Sequence, residues 1–142
     1  MDEVLSADTS QFLQTAFAHM VSPVRLVLFT RAAVGEGCVA AGRMARDLAS
    51  LSDRIAVEEH DLLRERGAAE AYRVERAPTI AVVGDRDRGL RFVGAPGGYE
   101  IMALADAILL VSTGESGLSP ASRARLAALG APLDLQVFVT PT

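Results

Sequence analysis

The run Val24–Thr30, "VRLVLFT", constrains the fold of this chain more than any other stretch. It lacks a clean alternation of apolar and polar residues, which suits a strand buried on both faces. Residues 38 to 52 then return to helical spacing, and Ile55–His60 reads as a second strand. Strand, helix and strand in that order imply parallel pairing through a crossover. After Pro78, "TIAVV" is a third strand and "GDRDRG" a turn, rich in residues that tolerate tight geometry. "LRFVG" is a fourth strand, so this later pair reads as an antiparallel hairpin.

The flanking segments supply the helices. Residues 7 to 20, "ADTSQFLQTAFAHM", place Phe12, Leu13, Ala16, Phe17 and Met20 on one apolar face. The Ser6 hydroxyl can cap that helix by accepting from a free backbone N–H, and "SP" at 22–23 ends it. "LLRERGAAEAYRV" reads as a short helix interrupted by Gly67. "GAPGGYE" is a second turn, and residues 99 to 112 form a strongly apolar helix. The order α-β-α-β-α-β-β-α predicts an α/β fold, a mixed central β-sheet flanked by helices on both faces.

The tail is not a simple continuation. "STGESG" at 112–117 is linker-like, and "LSPASRARLAAL" gives a helix capped by Ser119, with Pro120 at its first position. "PLDLQVFVT" reads as another strand. Pro23, Leu26, Leu28 and Phe29 line up with Pro132, Leu135, Val137 and Phe138 at a constant offset of 109, a weak internal repeat. On this reading residues 1–118 are one unit, and residues 119–142 are the opening helix and strand of a second, truncated before its own loop. The segment 133–139, "LDLQVFV", is too apolar to hang free. It is expected to pack on this unit's sheet or to pair with another copy, giving a homodimer through the C-terminal segment.

Composition removes several function classes. The chain has 142 residues, 50% of them hydrophobic and 23% charged, enough for one globular unit with a real core. A net charge of −4 without a basic patch argues against nucleic-acid binding. All 14 basic residues are arginine, so a lysine Schiff base or P-loop lysine is excluded. The acidic start "MDEVLSADTS" has no apolar signal core, and the longest apolar run, "IMALADAILLV", is too short for a bilayer and carries Asp106. No membrane association and a cytoplasmic location are expected.

The site candidates centre on "GEGC", residues 35 to 38. Cys38 is the single cysteine, which excludes an intrachain disulfide. Thiol–disulfide exchange uses a thiolate at a helix N-terminus and a second thiol three positions away. Here the spacing survives with Gly35 in the leading place. Cys38, Ala41, Met44, Leu48 and Leu51 recur at helical steps, so Cys38 is expected on the stripe facing the sheet, as a buried small hydrophobe. In the other reading Cys38 is a lone nucleophile, which requires a longer loop after Thr30. Pro78 in "RAPTI" shapes a turn before a core strand. Position alone does not make its peptide bond cis, but a cis-Pro would leave neighbouring backbone free to pair with an extended ligand. "EEHD" at 58–61 points Glu58 and His60 one way and Glu59 and Asp61 the other. With two histidines and one cysteine in the chain, no metal site is expected, and these residues read as solvated strand-end charges. "GAPGGYE" lacks the dinucleotide-binding glycine spacing, and no Ser-His-Asp arrangement can be argued.

Taken together, "VRLVLFTR", "LSDRIAVEEHD", "ERAPTI", "GLRFVGAPGGYE" and "VFVTPT" resemble the N-terminal unit of the glutaredoxin-like protein disulfide oxidoreductases, built from two tandem thioredoxin folds. The chain is also similar to the N-terminal domain of the alkyl hydroperoxide reductase flavoprotein subunit. The resemblance covers nearly the whole chain but only about half of a full-length member. It implies a thioredoxin-like fold, cytoplasmic redox work without a cofactor, and protein thiol or disulfide substrates or a second thioredoxin unit as partners. By match to "RAP", Pro78 is the cis-Pro position, and Ala77 supplies substrate-pairing backbone. Gly35 takes the attacking-cysteine position and Cys38 the resolving one. "VFVTPT" resembles the strand that leads into the second unit's CxxC, absent here. The implied role is a binding and scaffolding half that is redox-inactive alone. The rival is a monothiol redox enzyme using Cys38.

Overall fold

The computed structural model describes residues 4–31 and 35–140. Its elements run α1 (Ala7–Phe17), β1 (Val24–Thr30), α2 (Glu36–Ser50), β2 (Ile55–Asp61), α3 (Arg66–Ala71), β3 (Thr79–Val83), β4 (Asp87–Val93), α4 (Glu100–Thr113) and α5 (Pro120–Ala127). The four strands form one sheet in the order β2-β1-β3-β4. β1 pairs with β2 in parallel, with Val27 opposite Glu58 and Phe29 opposite His60. The β1–β3 and β3–β4 pairs are antiparallel. The mixed sheet expected from the order of elements is therefore present, with β1 inside it, as suits the unalternating "VRLVLFT".

The strand period of two divides β1 and β3 between two cores. Leu26, Leu28, Ile80 and Val82 point into the larger one, filled by Leu13 and Phe17 of α1, Met44 and Leu48 of α2, and Leu104 and Ile108 of α4. Val27, Phe29, Ala81 and Val83 point the other way, where Ala69 of α3 and Val74 cover them, with Leu62 and Tyr72 alongside. One polar group ties the larger side together. Ser112 of α4 is 3% exposed. Its hydroxyl accepts from the Val21 and Ser22 amides at 3.0 and 3.1 Å and donates to the Ser22 carbonyl at 2.7 Å. Gly84, just after β3, is fixed by close approach: a β-carbon there would lie 2.6 Å from Val111 Cγ1.

Several boundaries differ from the sequence reading, each for a local reason. α1 stops at Phe17, because Ala18 caps it and Met20 closes a turn onto the Phe17 carbonyl, staying buried outside the helix. The helix expected from residue 62 begins at Arg66. The Asp61 carboxylate accepts from the Leu63 and Arg64 amides, both at 2.9 Å, and this turn competes successfully with helix. Gly67 lies in the first turn of α3 and does not interrupt it. β4 extends back to Asp87, with an irregularity in its pairing with β3 between Ala81 and Val83.

The tail corrects a larger expectation. α5 forms as predicted, and the Ser119 hydroxyl accepts from the Ser122 amide at 3.1 Å. The predicted strand over residues 132–140 does not form, and the segment is exposed. Leu135, Val137 and Phe138 are 83%, 85% and 88% exposed, so the tail does not pack on this sheet. A strand is stabilised by a neighbouring ladder. β1 has two neighbours, whereas the tail has none among the described residues. Pro141 and Thr142, the end of "VFVTPT", lie outside the described residues, as does the middle of the loop after Arg31.

Candidate functional site

β1 carries the chain to Thr30, and α2 starts at Glu36 with Gly35 as its N-cap. Gly35 has φ 91°, a conformation that glycine adopts and a side-chain-bearing residue resists. A β-carbon at position 35 would be strained in this backbone conformation. Cys38 is the third residue of α2, and its amide donates to the Gly35 carbonyl at 3.2 Å. Cys38 is half-buried, not sealed in the core as the helical stripe suggested. The reason is positional. Ala41, Met44 and Leu48 in the middle of the stripe are buried, whereas Cys38 and Leu51 lie at its two ends and are half-buried.

Facing this first turn is the Pro78 loop. The Ala77–Pro78 peptide bond is cis. A β-carbon on Gly37 would lie 3.8 and 3.9 Å from Pro78 Cδ and Cγ, so the start of α2 and Pro78 are in van der Waals proximity. Thr79, 2% exposed, closes the loop by donating from Oγ1 to the Arg76 carbonyl at 2.7 Å. On the far side the Gly94 amide donates to the Pro78 carbonyl at 2.8 Å. Ala77 and Pro78 are both half-buried, so this edge is reachable. The fold thus brings together two segments about forty positions apart, "GEGC" and "RAPT". Gly37, Thr79 and Gly94 escaped the sequence reading. Gly94 has φ 98°, and the glycine run around it was the available signal.

The "EEHD" segment is more organised than solvated strand-end charges. Arg25 Nη1 meets Glu58 Oε2 at 2.7 Å, and His60 lies between Glu58 and Glu65. Glu58 and His60 share the α3 side of the sheet, as alternation required. Glu59 meets Arg46 of α2 at 3.5 Å and Thr30 Oγ1 at 3.4 Å. Hydrogen bonding with Glu65 is the main influence raising the His60 pKa, against the opposing effect of burial. Glu58 and Glu65 are held below the usual carboxylate range, chiefly by His60. No cluster of three or more histidine, cysteine or carboxylate side chains that could hold a metal ion occurs among the described residues. No helix among them is long and apolar enough to cross a membrane.

A mixed four-stranded sheet with a loop-to-helix junction packed beside a cis-proline defines a thioredoxin-like fold. Among solved structures, the chain is similar to the NTD-N/C domain of alkylhydroperoxide reductase AhpF from Enterococcus faecalis, at 24% identity and TM-score 0.81, over 88% of this chain and 61% of that one. It is also similar to a protein disulfide oxidoreductase from Aeropyrum pernix, at 27% identity and TM-score 0.78, over 91% of this chain and 56% of that one. A thioredoxin from Fasciola hepatica matches at 20% identity and TM-score 0.53, over 72% of this chain and 93% of that one. The chain thus spans less than two thirds of the length of the first two structures. No protein-family model and no curated protein matches it.

Proposed function

We propose that this chain is the N-terminal, glutaredoxin-like unit of a two-unit disulfide oxidoreductase-like protein, with a docking and scaffolding role and no redox activity of its own. The observation that carries the reading is Gly35. It takes the attacking-cysteine place with a backbone suited to glycine, and the chain has one cysteine in all. In this reading Cys38 is a remnant resolving thiol, and the cis-Pro78 loop, with Ala77, offers backbone for pairing with an extended segment. The partner is a protein thiol or disulfide substrate, or a second thioredoxin unit that residues 119–142 begin. A homodimer through the exposed C-terminal segment and a cytoplasmic location belong to the same proposal.

A second reading is supported by the half-burial of Cys38 in the first turn of α2, which leaves the thiol within reach of a substrate. In it the Cys38 thiolate attacks a substrate disulfide, forms a mixed disulfide and releases the other sulfur as thiolate. An external thiol then resolves the bond, as in a monothiol enzyme. Insulin reduction with dithiothreitol, run on wild type and Cys38→Ser, separates the two. The first reading expects no acceleration by either protein. Acceleration that disappears in Cys38→Ser establishes the monothiol reading.

A further inference from the structure

His60 is held in a place that demands two protons. Its Nδ1 lies 2.9 Å from Glu65 Oε1, and its Nε2 lies 2.6 Å from Glu58 Oε1. An ionised carboxylate accepts hydrogen bonds and donates none, and a neutral imidazole carries a single N–H. Only the imidazolium satisfies both contacts at once. The ring is also stacked on Phe29, with centroids 5.4 Å apart. The side chain is 17% exposed, which shields the arrangement from much of the solvent.

The contacts join two elements. Glu58 and His60 belong to β2, whereas Glu65 is the residue before α3. The second Glu65 oxygen accepts from the Asp61 amide at 2.7 Å, so one carboxylate spans the end of β2 and the start of α3. α3 has six residues, too few to persist without tertiary support. Other charged groups lie around this junction, with Arg64 and Arg66 on either side of Glu65 in the chain. Arg25 of β1 binds Glu58, and its guanidinium lies 3.5 Å from the Tyr72 hydroxyl at the end of α3. The Asp61 carboxylate adds further negative charge near Glu65. The polar groups that His60 itself contacts are the Glu58 and Glu65 carboxylates.

We propose that protonated His60 is a pH-responsive latch between β2 and α3: when the ring loses a proton, one carboxylate contact is lost and α3 loosens from the sheet. The expected direction follows from linkage. The folded-state His60 pKa is raised above 6.5, with Glu65 as the leading cause. Its stabilisation is complete below the unfolded-state value and disappears as pH rises through the folded one. The Glu58 and Glu65 pKa values are lowered from 4.5. Their contributions are complete above that value and disappear as pH falls through the folded ones. The latch is therefore tightest in mildly acidic solution and opens on the alkaline side. Opening has a short route to the cysteine loop, since the Leu62 amide at this junction donates to the Thr30 carbonyl at 2.8 Å. The inference stands apart from whether Cys38 is reactive.

The test combines imidazole ¹⁵N NMR with amide hydrogen exchange from about pH 5.5 to 9, a window that brackets the ordinary histidine value. His19→Gln removes the other histidine, so the remaining ring signals belong to His60. The latch expects both ring nitrogens protonated at the acid end and a midpoint above 6.5. Amide protection in α3, corrected for intrinsic exchange, should fall about three- to tenfold through the same midpoint. In His60→Gln that pH step should vanish while β1 and β3 remain protected. A midpoint at or below 6.5, or α3 protection that ignores the midpoint, overturns the proposal. If His60→Gln fails to fold, the His19→Gln protein alone decides it.

Discussion

The two faces of the sheet are built on different principles. On one, α1, α2 and α4 bury Leu13, Phe17, Met44, Leu48, Leu104 and Ile108 against the strands, and the stabilisation is mainly that of removed apolar surface. On the other, the six-residue α3 covers Val27, Phe29, Ala81 and Val83 with little more than Ala69, Val74 and the partly buried Tyr72. That face compensates with polar clamps at both ends of α3. His60 and Glu65 hold its start, and Arg91 holds its end by donating from Nε and Nη2 to the Tyr72 carbonyl at 3.1 and 2.8 Å. Burial resists changes in pH and salt, whereas such clamps depend on charge. The difference marks the α3 side as the part of the unit able to open while the rest stays folded.

The largest test of this contrast is a pair of core truncations. Leu48→Ala, at a fully buried position, should cost about 2–5 kcal/mol in urea unfolding. Val74→Ala on the α3 side should cost about 1–2 kcal/mol. Equal costs would erase the distinction between the faces. Next in size is Ser112→Ala, which strips the partners from the Val21 and Ser22 amides and should cost about 1–3 kcal/mol. A smaller loss would mean that water replaces the hydroxyl and that this face owes little to its buried polar tie. The smallest global effect is expected of Arg91→Ala, at about 1 kcal/mol or less, because a partly solvated ion pair is worth little. Exchange of the α3 amides should nevertheless quicken severalfold. Uniform quickening across β1 and β3 would show that α3 does not open as a separate piece.

Much of the candidate site can be read from the amino-acid sequence. The three-residue step from Gly35 to Cys38, the absence of a second cysteine and the proline ahead of "TIAVV" all lie in the linear chain. The burial of Cys38 was overestimated because spacing shows which stripe a residue joins, and not where along that stripe the sheet ends. "EEHD" was read as solvent-facing because alternation gives a side chain its face without its partner. Glu65, which completes the network, lies in a turn that the helical pattern had absorbed.

Local chemistry settled the elements. Unalternating β-branched and leucine-rich runs made strands, and Ser6 and Ser119 set helix starts through caps that need only three residues of reach. Strand order, the meeting of Gly37 with Pro78, and the unequal cover on the two faces belong to the tertiary structure alone. These depend on contacts between segments tens of residues apart, whose energies no local pattern encodes. The tail makes the same point in reverse. "LDLQVFV" has the composition of a strand, yet with no neighbouring ladder among the described residues it remains exposed chain.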